Sequence, residues 1–217
     1  MKEIIMPEGP IMQFFAKILD MVIVSILFTL ACVPVITIGC GLTSLYYTAA
    51  KSIYHGEGGT VKAFCHCFKV NFRQGLGMGI LCDIIAILMA GNLYLVFTMD
   101  LGPVGIIFGV IFLVIFLLLL VLMAYGFPIL SRFEVKIGGL LLSSFQISVL
   151  HASVTFQLVV MESMLLAGMG FAFITFPPLV IILPGLLGYA QTKLLEPILQ
   201  EYMQEQERGE EHETEVV

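Results

Sequence analysis

Charge is what this sequence has least of. Asp, Glu, Lys and Arg make up 12% of its 217 residues, against about a quarter in a soluble domain, while 59% are hydrophobic. With a mean hydropathy of +1.03, the chain cannot cover its apolar surface with polar groups. This excludes an ordinary water-soluble domain and predicts an integral membrane protein. Signatures of chemistry are missing too. There is no G-x-S-x-G, no H-E-x-x-H, no phosphate-binding glycine loop and no convergent Ser, His and Asp set. The expectation is a protein that is not an enzyme, with no catalytic, cofactor-binding or metal-ligating residues. The first 17 residues lack the basic start of a cleaved signal peptide, and the apolar segment after them is too long for one.

The net charge of −6 belongs to one end. From Glu201 onward seven Glu stand against Arg208 alone, whereas the first 200 residues balance nine acids with nine bases. Low hydrophobicity and like charge predict a disordered acidic tail over 201–217, following a single transmembrane helical domain over 1–200. The five cysteines, Cys32, Cys40, Cys65, Cys67 and Cys82, lie in or beside apolar segments and imply no disulfide framework.

A helix crossing about 30 Å of hydrocarbon needs roughly 20 apolar residues. Ile18–Ile38, Gly75–Phe97, Leu101–Tyr125, Ala152–Phe176 and Pro177–Leu195 meet that need, which predicts an all-α, polytopic bundle of five spans. Lys51, Lys62, Lys69 and Arg73 share one loop, and Arg132 and Lys136 another. Positive residues favour the cytoplasm, so both loops and the C-terminus are expected inside a bacterial cell membrane, with the N-terminus outside. Leu42–Tyr54 is too short to cross unaided; should it return through the membrane, the count is six and the N-terminus is inside. The apolar run before it is expected to break near Gly39, where Pro34 withholds an amide and Gly39 and Gly41 can adopt positive φ, or else to end there in a plain glycine cap.

"TVKAFCHCFKVNFRQG" has a helical period. Val61, Phe64, Phe68 and Phe72 cluster on one face and Lys62, His66, Lys69 and Arg73 on its neighbour, predicting a cytoplasmic interface helix with phenylalanines toward acyl chains and cations toward anionic headgroups. Asn71, near the apolar edge, should bond a loosened backbone carbonyl. "VKIGGLLLSSFQISVLH" likewise follows a basic loop and leads into a span, so the order interface helix, span, turn, span begins near Thr60 and again near Ile137.

These residues resemble the YesL-like bacterial membrane proteins, a domain of unknown function. The resemblance runs through "LFTLACVPVITIGCGLTSLYYTAAKSIYHGEGGTVKAFCHCFKVNFRQG", with Pro34, Gly39, Lys51, Phe64, Phe68, Lys69, Asn71 and Phe72 at matching positions, and through "YGFPILSRFE". Gly41 departs from the family's usual Pro or Ala, and Cys65 from its usual Trp. The resemblance implies an accessory role beside carbohydrate-uptake ABC transporters or two-component sensors, with an ABC permease or sensor kinase as partner in addition to the lipid bilayer. No nucleic-acid partner is expected.

Asp83 and Glu162 are the intramembrane acids, about 12 Å and 15 Å from the cytoplasmic ends of their spans. A charged carboxylate there costs at least about 3 kcal/mol, so each needs a proton, a cation or water. They form either a proton- or cation-linked transport site or a pair of neutral acids bonding Asn92, Ser163 or a carbonyl. Cys65, His66 and Cys67 point in different directions on a helix and lack further zinc ligands. His151 opens a span as an interface anchor.

Overall fold

The computed structural model describes residues 10–98, 102–132, 137–175 and 182–215, and every element in them is helical. The chain forms α1 (Pro10–Ala31), a 3-10 turn (Val35–Thr37), α2 (Ile38–Thr48) running into a π-helix (Ala49–Tyr54), α3 (Thr60–Val70), α4 (Phe72–Thr98), α5 (Gly102–Arg132), α6 (Ile137–Leu150), α7 (Ala152–Thr175) and α8 (Leu183–Glu215).

The first break falls earlier than Gly39. Proline removes a helical donor and disfavours helix in the residue before it, so α1 stops short of Pro34. The Thr37 hydroxyl then donates to the freed carbonyls of Ala31 and Pro34. Gly39 sits inside α2, and positive φ occurs among the described residues only at Gly56, Gly58 and Gly59, in the loop before α3. What Gly39 supplies is proximity. A Cβ there would lie 2.3 Å from the Gly75 carbonyl oxygen and 2.6 Å from the Gly79 Cα, so α2 and α4 touch backbone to backbone.

The short segment that was hardest to place is the centre of the molecule. Most of α2 is buried, and it packs on α1, α3, α4, α5 and α8. It folds back along α1 as an antiparallel hairpin: Phe28 packs on Gly41, Val24 joins Leu45, Ala49 and Ile53 in one cluster, and the Thr60 hydroxyl donates to Asp20. Asp20 and the Lys51–Arg73 segment therefore share an end. This hairpin is the arrangement that the six-span alternative expects, with Leu42–Tyr54 returning alongside the first apolar helix.

Span counting changes as well. Gln13–Ala31, Phe72–Val96 and Val104–Arg132 are long and apolar enough to cross a membrane, and α6 with α7, bent by 109° at His151, makes a fourth if taken together. Five is not reached among the described residues. In the described part of Pro177–Leu195, α8 turns polar at Gln191, Thr192 and Lys193; residues 177–181 lie outside the description. Large apolar side chains such as Ile84, Ile87, Ile106, Ile107, Leu113 and Phe156 stand exposed along α4, α5 and α7. So broad an apolar surface fits contact with lipid.

Two further expectations shift. Phe64 is only 4% exposed and packs into the α1–α2 cluster instead of facing acyl chains, while Val61 and Phe72 are exposed. Asn71 donates to the Cys67 sulfur at 3.4 Å, not to a carbonyl. α8 itself runs from Leu183 to Glu215, into the acidic segment. Glu, Gln, Met and Arg are strong helix formers, and a helix already nucleated upstream propagates through them at little cost.

Candidate functional site

α5 ends in Arg132, α8 carries Glu196 one turn beyond Thr192, and the π-helix delivers His55. A π turn holds one more residue than an α turn and is frequent at functional sites; here the His55 amide donates to the Ala50 carbonyl five residues back. These elements converge on one carboxylate. Glu196 is 1% exposed. Its Oε1 accepts from Arg132 Nη2 at 2.6 Å, from His55 Nε2 at 3.0 Å and from Gln200 Nε2 at 3.4 Å, and its Oε2 accepts from the Tyr46 hydroxyl at 3.2 Å. An ionised carboxylate only accepts, so the imidazole carries a proton on Nε2.

Burial alone would raise the Glu196 carboxyl. The His55 bond and the Arg132 charge and bond outweigh it, and the group is held below the usual glutamate range. Arg132 Nε and the Thr48 hydroxyl are buried without a partner among the described residues. The cluster ties α2, the π-helix, α5 and α8 together and puts the end of α5 at Arg132 beside the end of the π-helix at His55. It was missed in the sequence because Arg132 reads as a loop cation and Glu196 as the start of the acidic tail. The available signal was that each closes an apolar run on the same side.

Glu162 stands elsewhere. It lines a cavity of about 290 Å³ between α1, α2, α5, α7 and α8, walled by Phe28, Leu45, Leu120, Phe127, Met161 and Leu187. Its Oε2 is buried with no partner. Ser163 donates to Val159 and Asn92 to Leu88, each within its own helix, so neither holds an acid. Asp83 is half-buried on α4, which packs on α2, α3 and α5, whereas α7 packs on α5, α6 and α8. The structure does not bring Asp83, Asn92 and Glu162 into contact.

Pro128 shapes this region. It cannot donate to the Ala124 carbonyl four residues back, and Gln191 Nε2 supplies that bond from α8 at 2.9 Å.

On α3, Phe64 and Cys67 face the bundle, and Cys67 is 2% exposed. Cys65, His66, Lys62, Lys69 and Arg73 are exposed. Cys65 and Cys67 therefore point apart. Pro34 and Phe72 are exposed, Gly39 is buried, and Phe68 lies between Phe64 and Phe72, with ring centroids 6.2 Å and 5.7 Å away. His151 interrupts the helix between α6 and α7.

A family model described as a protein of unknown function, DUF624, matches residues 21–93, from the middle of α1 to near the end of α4. Of the two stretches that carry the resemblance, Leu27–Gly75 lies inside this match and Tyr125–Glu134 lies outside it. No curated protein and no solved structure matches the chain.

Proposed function

We propose that the protein is a non-enzymatic accessory subunit of the bacterial cytoplasmic membrane, serving a carbohydrate ABC permease or a sensor kinase, with its C-terminus inside the cell. The observation that carries this reading is α3. Phe64, Cys67 and the Thr60–Asp20 bond fasten one side of the helix to the bundle, and Lys62, His66 and Lys69 on its other side stand in the open, as does Arg73 in the first turn of α4. A fixed cationic ledge suits an acidic protein surface lying at the headgroups, because it loses little side-chain and backbone freedom when a partner docks. The link to sugar uptake or sensing rests on the family resemblance.

Purification in mild detergent should bring down an ABC permease or a sensor kinase, and Lys62→Glu with Lys69→Glu and Arg73→Glu should release it without lowering the amount of protein in the membrane. Capture of nothing, together with proton or cation flux in proteoliposomes, would replace this reading with that of a small secondary carrier.

A further inference from the structure

The cavity beside Glu162 is mostly apolar, with a few polar groups in its wall. Phe28, Leu45, Leu120, Phe127, Met161 and Leu187 give it a hydrocarbon lining. Two of its polar neighbours are engaged: the Tyr46 hydroxyl donates to Glu196, and Gln191 Nε2 donates to Ala124. Glu162 Oε2 is buried and has no hydrogen-bond partner. A buried oxygen without a donor is costly, and more so when charged, so Glu162 favours a ligand that brings a donor to Oε2.

We propose that this cavity is a binding site for an amphipathic organic cation, seated with its ammonium group on Glu162 and its hydrocarbon body among the apolar walls. Charge complementarity selects the occupant. An acyl chain from the bilayer would fill the apolar part and leave Oε2 unpaired, and an alcohol would supply one donor but no charge. An ammonium supplies up to three donors and a full opposite charge where the dielectric is low. Size follows from volume: about 290 Å³ holds roughly ten heavy atoms at about 30 Å³ each, so a primary amine with a chain of about eight carbons fits. The site is separate from the ledge on α3 and from the Glu196 cluster, although Tyr46 borders both the cavity and that cluster.

The test uses the full chain in detergent with n-octylammonium and n-octanol as probes, read by thermal unfolding against ligand concentration. Octylammonium should raise the melting temperature with an apparent affinity at least tenfold tighter than octanol. Glu162→Gln should reduce octylammonium to the level of octanol while leaving octanol unchanged, which also corrects for partition into micelles. Met161→Trp, which fills the cavity, should weaken both probes. Equal response to the amine and the alcohol in the native protein would overturn the proposal in favour of a cavity for acyl chains. Undiminished octylammonium binding in Glu162→Gln or in Met161→Trp would overturn it by placing the site elsewhere. Should Glu162→Gln not fold, Glu162→Asp, which draws the carboxylate back by one methylene, should weaken the amine severalfold, and an unchanged affinity would count against the site.

Discussion

The guanidinium of Arg132 donates to the Glu196 carboxylate at 2.6 Å, closing a contact between residues 64 positions apart, with 23% of the arginine side chain exposed and 1% of the glutamate. Removing one partner of such a pair is costly because the other stays where water cannot fully reach it. Glu196→Leu should destabilise the protein by about 3 kcal/mol, the low end of the range for buried pairs, since Arg132 keeps some contact with solvent. Combining it with Arg132→Met should recover most of that loss. Thermal unfolding in detergent measures both; a double variant no better than the single one would show that the pair does not act as a unit.

The same carboxylate sets an acid limit. Because the Glu196 carboxyl is held below its ordinary value in the fold, its contribution is fully present above the unfolded glutamate pKa of about 4.3 and declines as pH falls from there through the lower folded value. Native protein should lose melting temperature below about pH 4 more steeply than Glu196→Gln, and the two curves should converge at the acid end. Parallel curves would mean that Glu196 does not titrate in this window.

Gly39→Ala should cost about 1–3 kcal/mol, since its methyl meets the Gly75 carbonyl and the Gly79 Cα and the helices must separate. Gly109→Ala has open space around it on α5 and should be neutral or stabilise by up to about 1 kcal/mol through helix propensity. Comparing the two unfolding midpoints isolates close approach from the loss of a glycine as such.

Gln191→Leu leaves the Ala124 carbonyl without a donor and should cost about 1–3 kcal/mol. Pro128→Ala restores the amide that Ala124 lacks, so in that background the Gln191 substitution should cost distinctly less. The coupling is read from a double-mutant cycle; additive effects would mean that the glutamine bond does not compensate for the proline.

How far the sequence reveals this molecule depends on the range of the interaction. Local rules locate what they govern. Pro34 ends a helix, and a short helix stands before α4 and another before α7, with Asn71 and His151 as the joints. At Gly39 the sequence points to a backbone that packs against other helices, but a helical glycine needed for contact looks the same as one needed for a bend until the opposing Gly75 and Gly79 are in position. Phe64 was given to lipid on periodicity, which tells an apolar face from a polar one but not which apolar surroundings it enters. Glu162 could be picked out as an acid in an apolar run, whereas its cavity could not, being assembled from five helices. Glu196 is harder to find: apart from Gln200 one turn on, its partners come from positions 46, 55 and 132, and no spacing connects them.

The Glu196 cluster also imposes an order on biosynthesis. Tyr46, His55 and Arg132 leave the ribosome well before their shared acceptor, so the interior around α2 holds a hydroxyl, an imidazole and a guanidinium with no counterpart until the last helix arrives. A nascent chain halted anywhere before residue 196 presents the cell's quality control with unneutralised donors at the floor of the bundle. Arrival of Glu196 with α8 is thus the event that neutralises them.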